Sequence, residues 1–155
     1  MRLFLKNLFF TVFVPGTVAG FLPWFLASGD RVSGWLALVA GFLFGFGAVV
    51  YLWCLWDFAT FGRGTPAPVD APKRLVVRGL YRYSRNPMYV GVLGVVAGWV
   101  VWFGGQMTLV VYLVLLFVAF HLRVVLHEEP SLREQFGPEY TEYRSKVARW
   151  LPVPF

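Results

Sequence analysis

A chain of 155 residues that is 58% hydrophobic and only 14% charged cannot cover a water-soluble surface, for which about 25% charged residues is ordinary. Sixteen Phe, seven Trp and seven Tyr suit a membrane interface, where aromatic rings collect. The net charge of +6 does not mark a nucleic-acid binder, because the basic residues fall in gaps between apolar runs rather than along one footprint.

Residues 8–27, LFFTVFVPGTVAGFLPWFLA, supply the twenty apolar residues that a bilayer requires. A signal peptide is the rival reading, since Arg2 and Lys6 precede the run. Its length and the lack of an A-x-A site favour a retained helix, kinked at Pro15 and Pro23. Gly29-Asp30-Arg31 makes a short turn, and residues 34–56 form a second uncharged span. Cys54 is alone, so no internal disulfide forms.

Residues 57–85 differ in kind. They hold GRGTPAPVDAPKRLVVRG and the basic residues Arg63, Lys73, Arg74, Arg78, Arg82 and Arg85. Such a segment is too polar to span, and long loops in small domains tend to be functional. Leu75-Val76-Val77 reads as an apolar contact rather than a strand. At Arg82-Tyr83-Ser84-Arg85-Asn86-Pro87-Met88-Tyr89-Val90-Gly91 the loop becomes a helix: Asn86 suits an N-cap and Pro87 the first turn. Arginines gathered at a helix mouth suit an anion site or an interfacial anchor.

Residues 88–103 and 107–126 are apolar and separated by the uncharged Gly104-Gly105, the pattern of a tight helical hairpin. Gly16/Gly20, Gly41/Gly45 and Gly94/Gly98 are G-x-x-x-G pairs, and Gly91 extends the last into a stripe. Such stripes let apolar helices approach closely, most simply within one bundle. Gly91, one turn into its helix, also leaves room for a ligand.

The last span ends in His121-Leu-Arg-Val-Val-Leu-His127-Glu128-Glu129-Pro130. In an α-helix His121 and Glu128 share a face, about 10.5 Å apart. The spacing lacks H-E-x-x-H, so no metal is expected. Ser131-Leu132-Arg133-Glu134 has the form of a capping box for a short helix after Pro130, and Gly137-Pro138 resets the chain for a final helix. There Tyr140, Tyr143, Val147 and Trp150 form one face, with Glu139, Glu142, Arg144, Lys146 and Arg149 on the other. That helix lies on the membrane or on its own protein, or else closes over an aromatic ligand.

The expected fold class is all-α: an integral membrane bundle of four transmembrane helices, the last two a tight hairpin, with a cytoplasmic C-terminal helical segment. It forms a single domain, with two spans in 1–56, a cytoplasmic loop in 57–87, the hairpin in 88–126 and a tail in 127–155. Four spans put both termini and the long loop on one side, with thirteen of the fourteen Lys and Arg; only Arg31 lies opposite. The positive-inside rule makes that side cytoplasmic, and the setting is a prokaryotic cytoplasmic membrane. No soluble dinucleotide or methyl-donor fingerprint, P-loop or lipase elbow is present.

The runs GRGTPAP, LVVRGLYRYSRNPMYVG and HEEPSLREQFGPEYTEYRSKVARWLP resemble the isoprenylcysteine carboxyl methyltransferase family and its prokaryotic relatives, which overlap in motif with membrane phospholipid methyltransferases. The resemblance covers about residues 62–152. It implies a membrane enzyme using S-adenosylmethionine on a lipophilic membrane acceptor, with the donor between the hairpin and the C-terminal segment. It further implies that Arg85, Asn86, Pro87, Tyr89 and Gly91 line one wall. His121, Glu128, Glu129, Leu132, Phe136, Tyr140 and Tyr143 line the other. Arg85 and Glu128 are the expected catalytic residues. Glu128 or Glu129 would take the donor's amino group, and Arg85 either the donor's or the acceptor's carboxylate. The chain departs from eukaryotic members in its four spans and in Asn86, where they commonly carry histidine. Phospholipid N-methylation, an NADPH reductase of similar architecture, and a small scaffold or lipid-binding bundle are the competing readings.

Overall fold

The structure, a computed structural model, describes Phe9, residues 11–62 and residues 74–150. Expectations on Arg2, Lys6, Arg63, Lys73, most of the GRGTPAP run and Leu151-Pro152 lie outside the described residues. Those described are helical or irregular, with no strand among them.

Helix α1 (Thr11–Leu26) contains a π turn at Thr17–Phe21 and has Pro23 just after it. The two irregularities free backbone oxygens. The Leu22 N–H bonds to Thr17 O, which bypasses the Val18 carbonyl, and Pro23 has no N–H to offer Ala19. Both oxygens find side chains elsewhere: Tyr112 Oη donates to Val18 O at 2.7 Å, and Trp99 Nε1 to Ala19 O at 2.9 Å. The expected kink thus becomes a pair of inter-helix tethers.

Helix α2 (Trp35–Asp57) begins after Gly34, whose φ of 64° favours glycine, and runs into a π turn, Phe58–Gly62. A 3₁₀ turn, Gly79–Arg82, leads to α3 (Pro87–Trp102). Residues Phe103–Gln106 then connect to α4 (Met107–Arg123). At this end of the bundle Gln106 ties the connections together: Oε1 accepts from Ser28 N at 2.9 Å, and Nε2 donates to Leu26 O at 3.2 Å. Val32 N donates to Trp102 O at 2.9 Å.

α2 and α3 make the closest contact. A Cβ on Gly91 would lie 2.8 Å from Gly47 O, and one on Gly98 would lie 2.8 Å from Phe44 Cδ1. Gly94 approaches Gly47 as well. The α3 stripe therefore packs within the bundle, as expected of small residues in apolar helices. Its partner is Gly47 rather than the G-x-x-x-G pair of the same helix: nothing lies within 4 Å of a Cβ on Gly41 or Gly45. Around it Tyr51, Val92, Val96 and Ala19 are buried. Cys54 is buried too, in a second cluster with Val50, Val76 and Tyr81, so residues 75–77 do act as an apolar contact rather than a strand.

The expected break at Pro130 is absent. α4 passes through a π turn, Val124–Glu128, into α5 (Glu129–Lys146). Pro130 cannot bond Leu126 O, and its ring would crowd that carbonyl in a regular helix. The wide turn, with Glu129 N–H reaching Val124 O, absorbs both problems. The real interruption is Gly137, at φ 52° and ψ −120°, before Pro138 as expected. α5 stops at Lys146, short of Trp150, because Val147 is extended. Trp35–Gly62 and Met107–Lys146 are long and apolar enough to cross a membrane, while Thr11–Leu26 and Pro87–Trp102 are shorter. By length and composition the structure supports a membrane protein with two such helices.

Candidate functional site

The site lies where α3 begins. Pro87 occupies the first turn of α3, but Asn86 makes no side-chain cap. Its amide donates instead to Arg149 O at 3.0 Å, and its own N–H bonds Ser84 Oγ at 3.2 Å. The cause is the extended stretch after α5. Ala148 O accepts from Arg85 N at 2.9 Å, and Arg149 O also accepts from Ser84 Oγ at 3.3 Å. The C-terminal strap therefore lies against the R-N-P motif backbone to side chain, and competes successfully for the capping amide.

Beneath the strap is a charged centre. The Glu129 carboxylate, its side chain 9% exposed, accepts from Arg85 Nη1 at 2.9 Å. Arg149 reaches it through Nε at 2.6 Å and Nη2 at 3.2 Å. Burial opposes ionisation of Glu129, but the hydrogen bond from Arg149 and the charges of Arg85 and Arg149 outweigh it, and its pKa falls below the ordinary value. Arg85 Nη1 also donates to Tyr140 Oη at 3.3 Å. Arg85 Nε, in contrast, is buried with no partner among the described residues, a condition that costs free energy unless something supplies an acceptor. Tyr143 Oη donates to Tyr81 O at 2.7 Å, which fastens α5 to the 3₁₀ turn leading into the motif.

Glu128 forms a second centre. Tyr89 Oη and Arg123 Nε both donate to its Oε1, the latter at 3.0 Å. The Tyr89 ring lies 4.4 Å from that of Phe120, centroid to centroid. Two carboxylates adjacent in sequence thus have separate cations, and a tyrosine bonds Glu128 directly while Tyr140 is joined to Glu129 only through Arg85.

Of the residues expected to line a pocket, Arg85, Glu129, Tyr140 and, through Arg149, Asn86 are joined in one network. Tyr89 and Glu128 form the neighbouring one. Leu132 and Phe136 are half-buried on α5. His121 and Glu128 do not act together as their seven-residue spacing implied: the π turn between them changes the register, and His121 Nδ1 accepts from Trp150 Nε1 at 3.2 Å. Gly91 leaves no room for a ligand, because Gly47 O and Tyr51 N occupy the space beside it. Arg149 was placed by helical periodicity on the outer, polar face. It faces Glu129 because the helix ends three residues earlier, and Ser145-Lys146-Val147-Ala148 contains no glycine or proline to announce that end.

A buried, unpartnered guanidinium nitrogen suits a ligand carboxylate. Glu128 Oε2, without a partner among the described residues, suits an ammonium. The half-buried Tyr89 supplies aromatic surface, whereas Tyr140 is 2% exposed and packed inside. A cation, a carboxylate oxygen and an aromatic ring are the groups that a zwitterionic, aromatic-bearing ligand such as S-adenosylmethionine needs.

Comparisons with known proteins point the same way. The family model described as phospholipid methyltransferase matches residues 35–139. A probable protein-S-isoprenylcysteine O-methyltransferase of Oryza sativa subsp. indica is 37% identical over 79 residues, 51% of this chain and 41% of the relative. The protein-S-isoprenylcysteine O-methyltransferase of Saccharomyces cerevisiae is 35% identical over 78 residues, 50% of this chain and 32% of the relative. An uncharacterized protein of Haemophilus influenzae is 31% identical over 64 residues, covering 41% of this chain and 100% of the relative. The chain thus spans well under half the length of the rice and yeast relatives. No solved structure matches. With a family model covering more than half of its length, and motifs that agree with it, the chain belongs to the phospholipid methyltransferase family.

Proposed function

We propose that this chain is a membrane methyltransferase that uses S-adenosylmethionine and methylates the carboxylate of a lipophilic, isoprenylcysteine-like acceptor. The observation that carries the reading is the buried Arg85 whose Nε has no partner among the described residues, set beside a carboxylate already neutralised by two arginines. S-adenosylmethionine, when bound, supplies an electrophilic methyl group. Glu128, with a free Oε2, holds the amino group, a role that Glu129 is too fully paired to take. Tyr89, with Phe136 and Leu132, gives the apolar and aromatic walls, and the buried Tyr140 accepts from Arg85. Arg85 receives a carboxylate at Nε and fixes its position, and positioning is worth about 7–11 kcal/mol in reactions of this kind.

A carboxylate is already a nucleophile at neutral pH and asks no proton of the protein, whereas an ammonium must lose one. Glu129, held ionised by Arg149 and Arg85, is a poor proton acceptor, which favours O-methylation. The names of the rice and yeast relatives support the same choice. The family description favours the alternative, N-methylation of a phosphatidylethanolamine-type lipid.

We place four helices across the membrane, α3 and α4 as a hairpin, with the termini and the site on the cytoplasmic side. Single cysteines at Ser28 and Ser145, added to a Cys54→Ala background, should react from opposite sides; labelling from one side alone excludes this topology.

Calorimetry in detergent should detect binding of S-adenosylmethionine or S-adenosylhomocysteine, weakened by Glu128→Ala. No binding by the folded protein overturns the methyltransferase reading. A radiolabelled transfer assay on prenylcysteine analogues and extracted lipids should yield a base-labile product. A base-stable product excludes carboxyl methylation and selects the amine. Arg85→Gln separates its two possible partners: a higher KM for the acceptor at unchanged donor affinity assigns Nε to the acceptor.

A further inference from the structure

Away from the proposed methyl-transfer site, the outer face of α2 carries a groove of about 550 Å³ lined by Val49, Leu52, Trp53, Trp56, Asp57 and Arg78. Its walls are apolar side chains that are each more than half exposed. Its end is built quite differently. Asp57, only 1% exposed, forms an ion pair with Arg78 Nε at 3.4 Å. The guanidinium carbon of Arg78 sits 3.2 Å above the Phe61 ring.

The arrangement holds a guanidinium on two sides, by a carboxylate behind it and an aromatic face beneath it. Cation–π stacking and the carboxylate contact both restrict the rotamers of a long side chain. Arg78 remains 50% exposed, and its two Nη nitrogens have no partner among the described residues. That outer edge is a fork suited to a bidentate anion. Asp57 offers a ligand little: its Oδ1 faces Arg78, and its Oδ2 is buried without a hydrogen-bond partner among the described residues and pressed against Gly79, where a Cβ would collide with it. A cationic head would therefore find no acceptor in this groove, and an anionic one finds an oriented donor.

We propose that the groove is a binding site for an anionic membrane glycerophospholipid, its phosphodiester on the Arg78 fork and an acyl chain along Val49, Leu52, Trp53 and Trp56. Charge complementarity selects the head, and the continuity of the apolar wall with the guanidinium selects an amphiphile over a free anion. The site is also linked to the charged centre. Arg78 immediately precedes the Gly79–Arg82 turn, whose Tyr81 carbonyl receives Tyr143 Oη. A lipid that steadies Arg78 therefore steadies the segment that presents Arg85.

Lipid titration of the intact, delipidated protein in detergent, read by native mass spectrometry, tests this directly and does not depend on the methyltransferase reading. Dioleoylphosphatidylglycerol should bind roughly tenfold more tightly than dioleoylphosphatidylcholine, whose trimethylammonium meets the Arg78 charge with no acceptor to offset it. Arg78→Gln should abolish the preference. Arg78→Lys, which keeps the charge and loses the fork, should retain part of it and carries the test if Arg78→Gln does not fold. Trp56→Ala should weaken both lipids while leaving their ratio unchanged. Equal affinity for the two lipids, or a preference that survives Arg78→Gln, overturns the proposal. So does displacement of phosphatidylglycerol by a farnesylcysteine analogue in an Arg78-dependent way, which would reassign the groove to a carboxylate amphiphile.

Discussion

The α2–α3 contact and the Glu129 centre hold the molecule together by opposite means. At the first, side chains are missing: Gly47, Gly91 and Gly94 bring two backbones into contact, and no charged side chain is involved. At the second, side chains are long and charged, and two arginines converge on one buried carboxylate. The first tolerates no added atom, the second no lost partner. Packing sets how close the helices come, while the ion network sets how the C-terminal strap meets the R-N-P motif.

The sharpest way to break the second region is Glu129→Ala. It leaves Arg85 buried without its counter-ion, a loss of about 3 kcal/mol in buried pairs, and frees the strap that Arg149 anchors. Thermal unfolding in detergent should show a large drop in Tm, and proteolysis should begin after Lys146. Gly47→Val attacks the first region instead. Its new methyls meet Gly91 O and Val95, which should cost about 1–3 kcal/mol as overpacking does. In this variant strap and bundle should loosen together, whereas Glu129→Ala should spare the bundle.

Acid provides a graded test. Glu129 has a lowered pKa in the folded state, so its contribution to stability is complete above the unfolded glutamate value of about 4.3. It is lost as pH falls from there through the folded pKa. Stability measured from neutral pH downward should fall in that acid window, and Glu129→Gln should remove this part of the dependence. Equal acid sensitivity in the two proteins contradicts the assignment. Smaller still, Trp150→Phe removes the donor to His121 Nδ1 and should cost about 1 kcal/mol while keeping the ring contact with Phe117. At the bottom of the scale, Lys146→Ala breaks only a surface pair with Glu142 and should leave Tm unchanged.

Much of this was legible along the chain. Apolar runs located the helices, and the start of α3 at Pro87 follows from proline's place in a first turn. The inward face of Tyr140 and Tyr143 emerged from helical spacing. Errors arose wherever a helix departs from 3.6 residues per turn or stops without a marker. The π turn before Glu128 separated His121 from it. The unannounced end of α5 turned Arg149 from an outer residue into the second cation on Glu129. Asn86 looked like a cap and became a strap contact, because its amide turns to donate to a carbonyl sixty-three residues away instead of presenting its oxygen to the first-turn N–H groups.

By itself the sequence determined that this is an apolar, helical membrane protein with two motif blocks. Composition and local periodicity are sums over neighbouring residues, and no distant partner is needed to read them. Only the tertiary structure decided which glycine meets which, since Gly41, Gly45 and Gly47 are equally small and differ only in the direction they face. It alone decided that Glu129, rather than Glu128, takes two arginines, and that Arg85 keeps a buried nitrogen unsatisfied. Those outcomes depend on register shifts and chain ends that bring together groups far apart in sequence, where hydrogen-bond geometry, not propensity, selects the partner.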